Sequence, residues 1–124
     1  VSNILIVEDN QDLCRIYAKI LSDIGNHVCV ATSLTEARQH LEVEAFDMVV
    51  CDMNLGAERG LDLIRQYHDL LLGGPTVTIV VSAEEQYRPT CEAMGVEWFL
   101  SKPVSIHALL RMVERLNMPQ VVEK

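Results

Sequence analysis

The chain alternates between short aliphatic runs and longer stretches whose apolar residues recur at helical spacing. Ile4–Val7 is the first run and reads as a strand. Leu13, Ile16, Tyr17, Ile20, Leu21 and Ile24 then mark one face of a helix, with Asn10 or Asp9 as N-cap and Gly25 as its stop. His27–Ala31 reads as a second strand. Ser33-Leu34-Thr35-Glu36 is a capping box opening a helix that runs to about Glu42. Asp47–Cys51 is a third strand, and Leu61, Ile64, Tyr67, His68 and Leu71 mark a third helix ended by Gly73-Gly74-Pro75. Thr76–Val81 is a fourth strand, β-branched almost throughout. A weaker helix follows from Glu84 to about Met94; Pro89 predicts that it is short, irregular or late-starting. Trp98–Leu100 is the fifth strand. Ile106, Leu109, Leu110, Val113 and Leu116 mark a last helix, with Ser105 as N-cap and Asn117 and Pro119 at its end.

This is βα repeated five times. Near-continuous aliphatic strands between amphipathic helices imply a parallel sheet covered on both faces. The expected fold is α/β, a flavodoxin-like (βα)5 doubly wound sheet of strand order 2-1-3-4-5, one domain over residues 1–118 with a tail or linker start at 119–124. In such sheets ligands bind beyond the carboxyl ends of the strands, at the switch point between strands 1 and 3.

Composition narrows the field. The 124 residues carry a formal charge of −8 and no Lys/Arg cluster, which disfavours nucleic-acid binding by this domain. No apolar run approaches the ~20 residues of a membrane span. The start shows no secretory leader pattern, and its Val rather than Met suits a segment of something longer. The four cysteines, Cys14, Cys29, Cys51 and Cys91, form no C-x-x-C pair and show no zinc spacing with a histidine. They read as small buried or half-buried thiols of a reducing cytoplasm. None of the four histidines is assigned to catalysis.

The strand ends carry the chemistry. Strand 1 ends in Glu8-Asp9, strand 3 in Asp52, strand 4 in Ser82, and strand 5 in Ser101-Lys102-Pro103. Strand 2 ends in Ala31-Thr32, without charge. Singly, each is the kind of residue that caps a helix or is simply solvated. Jointly they bring three carboxylates, a hydroxyl and an ammonium to one edge of the sheet. Adjacent carboxylates on a half-buried strand end repel, so something must compensate them. Hard oxygen ligands suit Mg²⁺ or Mn²⁺ rather than zinc, and too few are present for a Ca²⁺ cage. With Lys102 and Ser82 the cluster reads as a phosphoryl site.

From about Asn3 to Leu116 the sequence resembles the receiver domain of two-component response regulators. The motifs are the acidic pair of LIVEDN, the Asp of VVCDMNL, the GLDLIRQ after it, the Ser-Ala of VVSAE, and the aromatic and Lys-Pro of WFLSKP. The resemblance implies that Asp52 accepts a phosphoryl group from the phosphohistidine of a histidine kinase or phosphotransfer domain. It implies Mg²⁺ held by Asp9, Asp52 and the Asn54 carbonyl, with Glu8 acting through water. It also implies a Lys102 that pairs first with a carboxylate and later with the phosphoryl group, a cis bond before Pro103, and Ser82 and Phe99 as the switch pair. Output to an effector domain or downstream protein would pass through the surface of helix 4, strand 5 and helix 5; a homodimer through that face stays open, although its usual charge pattern is not clear here. The domain would be a signalling module rather than an enzyme, catalysing only its own phosphorylation and dephosphorylation.

There are departures from the family. Leu55-Gly56 stands where Met-Pro is common, which predicts a more flexible loop, and Val104 stands where Phe is frequent. Asn54 and Glu84 lie where side chains influence the phosphoryl lifetime. Trp98 is either a core residue or part of the partner face. Three other readings compete. A phosphorylation-independent interaction module would usually have lost an acid, the acceptor or the Lys. A small Mg²⁺-dependent phosphatase would want a second Asp at position 54. A flavin carrier would need a Ser/Thr/Gly-rich loop where Glu8-Asp9 stand.

Overall fold

A computed structural model describes residues 2–117. The strands are β1 (Asn3–Val7), β2 (His27–Ala31), β3 (Met48–Asp52), β4 (Asn54–Leu55), β5 (Glu58–Arg59), β6 (Val77–Ser82) and β7 (Trp98–Ser101). The helices are α1 (Gln11–Asp23), α2 (Leu34–Val43), α3 (Gly60–Gln66), α4 (His68–Leu71), α5 (Arg88–Met94) and α6 (Ile106–Asn117). The main sheet is parallel, in the order β2-β1-β3-β6-β7. This is the expected flavodoxin-like order, with β6 and β7 as its fourth and fifth strands. The tail after Asn117 lies outside the described residues.

The unbroken aliphatic runs follow from burial on both faces. Side chains alternate along a strand. Leu5, Val7, Val49, Cys51 and Val80 point to one core, closed by Leu34, Ala37 and Leu41 of α2, Leu61 and Ile64 of α3, and Leu71 of α4. Ile4, Ile6, Met48, Val50, Ile79 and Val81 point to the other, closed by Leu21 of α1 and by Leu109 and Val113 of α6. A polar residue in the interior of β1 or β3 would therefore face a core whichever way it pointed, and apart from Asn3 at the outer end of β1 the chain places none before Asp52.

The caps are local. Asn10, not Asp9, caps α1: its side chain accepts from the Asp12 and Leu13 amides. That leaves Asp9 free for the sheet edge. Ser33 caps α2 by accepting from the Glu36 amide, but Glu36 reaches back to the amide and hydroxyl of Thr32, one residue earlier than a capping box requires. The segment after β6 begins as a 3₁₀ turn, Glu85–Tyr87, before α5 starts with Pro89 in its first turn. The proline thus sets a late start, as expected.

One expectation is corrected. The third helix is two, because Tyr67 leaves helical geometry at φ −110°, ψ 33°. Its hydroxyl bonds Glu42, and His68 Nε2 meets the Met94 carbonyl at 3.0 Å, contacts that lie across the fold rather than along the helix. The Leu55-Gly56 segment lies in a short paired turn. Asn54 pairs with Arg59 and Leu55 with Glu58 in a small hairpin, with Leu55 buried and Gly56 at φ +66° supplying the turn. Trp98 is not a core residue, being 38% exposed at the start of β7.

Candidate functional site

Each strand end is fixed by its neighbour. The Glu8 amide bonds the Ala31 carbonyl, the Met53 amide bonds Val81, and the Lys102 amide bonds Ser82, all at 2.9 Å. These bonds carry the ladders one residue past the strands, so the functional side chains leave rigid backbone. Gly60 serves the same edge from beneath. A Cβ there would sit 2.1 Å from the Asp52 carbonyl oxygen, so only glycine lets α3 approach Asp52 this closely.

Carboxylate oxygens of Glu8, Asp9 and Asp52 lie within 4.8 Å of one another. Asp52 is 3% exposed and Glu8 5%, whereas Asp9 faces solvent. Lys102 Nζ donates to Asp52 Oδ2 at 2.5 Å and stands 3.6 Å from Glu8 Oε1. The other Asp52 oxygen, Oδ1, accepts from the Asn54 amide at 3.0 Å. Glu8 Oε2 accepts from the Asp9 amide at 3.1 Å. The Lys102–Pro103 bond is cis.

The charges do not balance. One ammonium faces three carboxyl groups. Burial, and then a hydrogen bond to Asp52 and its charge, push the Glu8 carboxyl up to about 8, although Lys102 pulls the other way. Lys102 is raised too: burial opposes its charge, but Asp52 and Glu8 outweigh it. Burial beside Asp52 thus disposes Glu8 to keep its proton well above the usual carboxylate range. The donors are hard oxygens with a surplus of negative charge, and these residues fit a small divalent cation such as Mg²⁺ or Mn²⁺.

Ser82 is fully buried at the end of β6 and accepts from the Glu84 amide at 3.0 Å, a local turn rather than a helix cap. Asn54 Nδ2 reaches Glu84 Oε1 at 3.5 Å, so the two residues singled out for phosphoryl lifetime meet across the mouth. Phe99 is apart from the carboxylates. It is buried in the core beside Tyr87, with the Arg88 guanidinium 4.6 Å from its ring centre. Arg88 is held by Glu85, to which the Ser101 hydroxyl also donates.

Sequence reasoning missed a cavity of about 450 Å³ beside Glu8 and Lys102, walled by Leu13, Tyr17, Val104 and Leu109. Val104, short where the family often has Phe, was its only signal.

The Response regulator receiver domain model matches residues 4–114. The virulence transcriptional regulatory protein PhoP of Salmonella typhimurium is 30% identical over 116 residues, covering 91% of this chain and 50% of that protein. The chain thus spans half the length of that relative. A CheY-like receiver domain protein from Methanospirillum hungatei JF-1 superposes with a TM-score of 0.83 at 27% identity, covering 94% of each chain. A response regulator from Burkholderia pseudomallei, solved with a phosphorylated aspartic acid, a calcium ion and citrate, shares the fold at a TM-score of 0.80 and 24% identity, over 98% of this chain and 78% of that one. The family model runs from the first residues of β1 into α6 and so takes in every strand end described above; the chain belongs to the response regulator receiver domain family.

Proposed function

We propose that this domain accepts a phosphoryl group on Asp52 from the phosphohistidine of a histidine kinase or phosphotransfer domain, and that Asp9, Asp52 and the Asn54 carbonyl hold Mg²⁺ or Mn²⁺, with Glu8 acting through water. The observation that carries this reading is the Asp52–Lys102 pair set among Glu8 and Asp9 at the carboxyl edge of the sheet.

Transfer to a carboxylate needs in-line placement and neutralised charge more than acid–base groups. An Asp52 oxygen attacks phosphorus, a P–O bond forms, and the P–N bond to the kinase imidazole breaks. Rigid ladder bonds hold Asp52 still, and the Asn54 amide orients Oδ1. Lys102 gives up Oδ2 and takes a phosphoryl oxygen. A divalent cation held by Asp9, Asp52 and the Asn54 carbonyl would supply charge neutralisation to the phosphoryl oxygens. Ser82 turns its hydroxyl from the Glu84 turn toward the phosphoryl group, and Phe99 leaves Arg88 to follow it. The change biases the surface of α5, β7 and α6, the helix 4, strand 5 and helix 5 of the five-unit repeat, toward an effector or downstream protein. Half-exposed Trp98 and Ile106 lie on those elements. The receiver itself is taken as residues 1–118. Among the described residues no helix is long and apolar enough to cross a membrane.

The test is incubation with Mg²⁺ and a small phosphodonor, followed by mass measurement. One added phosphoryl group, labile to hydroxylamine and absent in Asp52→Asn, supports the reading. No adduct from a small donor or from any histidine kinase overturns it.

A further inference from the structure

The amino-terminal end of β2, an edge strand of the main sheet, carries a second cluster. His27 and Cys29 are two residues apart on β2 and so share a face. Glu44, the residue that ends α2, folds back onto that face. His27 Nε2 lies 3.2 Å from Glu44 Oε2. Cys29 Sγ lies 3.6 Å from His27 Nε2 and 3.9 Å from Glu44 Oε1. We propose that His27, Cys29 and Glu44 form a three-ligand site for a borderline-soft divalent cation, Zn²⁺ in the first instance, with the fourth position open to solvent.

The spacings argue for it. Tetrahedral zinc, with bonds of about 2.3 Å to sulfur and about 2.0–2.2 Å to nitrogen and oxygen, requires donors about 3.4–3.6 Å apart. The observed separations bracket that range, and a small carboxylate rotation puts one Glu44 oxygen at the shared vertex. Thiolate and imidazole select zinc-like cations over Mg²⁺. Binding releases the Cys29 proton and leaves two anionic ligands against a divalent charge. The other three cysteines are buried in the core and cannot join or compete.

This site is independent of the phosphoryl chemistry. β2 runs from His27 to Ala31, and Ala31 is the residue that anchors Glu8. Four residues of strand separate the clusters by ~13 Å. One end of the strand borders hard oxygen donors; the other presents sulfur and nitrogen. A cation there would tie the end of α2 to the edge of the sheet.

The experiment is a Co²⁺ titration of the reduced full chain in excess Mg²⁺, which occupies the carboxylate cluster. The expected result is one equivalent bound, with a thiolate-to-cobalt charge-transfer band, visible bands of tetrahedral strength, and displacement by Zn²⁺. Cys29→Ser should lose the charge-transfer band. His27→Gln and Glu44→Gln, both nearer the surface, should each weaken binding at least about tenfold with an unchanged circular dichroism spectrum. Absence of a thiolate band in the wild type overturns the proposal. So does a band that survives Cys29→Ser, or cobalt binding lost only with Asp52→Asn.

Discussion

Replacing Glu8 with Gln in metal-free protein should remove most of the pH dependence of stability between pH 5 and 8. In the folded chain the Glu8 carboxyl titrates at about 8, against an ordinary 4.5, because it is buried and shares a hydrogen bond with Asp52. Between those values the folded state holds a proton that the unfolded chain has released. A raised folded-state pKa contributes stability that is complete below about 4.5 and lost as pH climbs through about 8. The slope is therefore negative, at most about 1.4 kcal/mol per pH unit, and the whole span is at most about 5 kcal/mol. Glu36 and Glu85 are shifted down and finish titrating below this pH window, while the buried Cys14 and Cys51 thiols, pushed up to about 11 and about 12, matter only above it. Gln keeps the polar contacts and cannot ionise. Urea unfolding in chelator at pH 5, 6, 7 and 8 should show wild-type stability falling by about 1 kcal/mol per unit and Glu8→Gln nearly flat. Saturating Mg²⁺ should restore wild-type stability at pH 8, because the cation takes the place of the proton. A wild type that is flat or gains stability over this range, or a variant with the same slope, refutes the reasoning.

Other expectations follow from single contacts. Gly60→Ala forces a methyl against the Asp52 carbonyl and should cost about 1–3 kcal/mol by urea unfolding and slow phosphorylation; a neutral effect would mean the α3 approach relaxes freely. Asp9→Asn should weaken Mg²⁺ binding more than Glu8→Gln at pH 8 by fluorescence or calorimetric titration, and equal losses would count against direct ligation by Asp9 alone. Arg88→Ala removes the cation from the Phe99 ring, so Phe99 should average over rotamers in the unphosphorylated state by NMR; an unchanged single rotamer would show that the core alone holds it.

The sheet was legible because its strands are aliphatic on both faces: nothing but a doubly covered parallel strand accounts for Ile4–Val7 or Val49–Cys51. The site was legible for a related reason. A charged residue that ends such a run has nowhere to go but the carboxyl edge, so Glu8, Asp52 and Lys102 announced themselves. The break at Tyr67 was not legible, since Leu61, Ile64 and Leu71 keep helical spacing straight through it, and the deciding contacts come from Glu42 and Met94. The hairpin at Asn54–Arg59 has strands of two residues, too short for any period. His27, Cys29 and Glu44 were invisible as a group because Glu44 comes from the end of α2, at a spacing that belongs to no motif.

The extra ladder bonds at Glu8, Met53 and Lys102 have a consequence for how the domain moves. They graft the reacting groups onto the slowest-opening part of the molecule, so the acceptor shares the local stability of the central sheet. Past the end of β6, the Ser82 hydroxyl and the Glu84 backbone hold one another through a two-residue turn. The boundary between stillness and motion thus falls just past Ser82, whose carbonyl carries the Lys102 ladder bond while the chain beyond it leaves the sheet. Amide exchange should be slow at Met53 and Lys102 and fast from Glu84 to Tyr87, which divides the edge into an anvil that receives the phosphoryl group and a hinge that reports it.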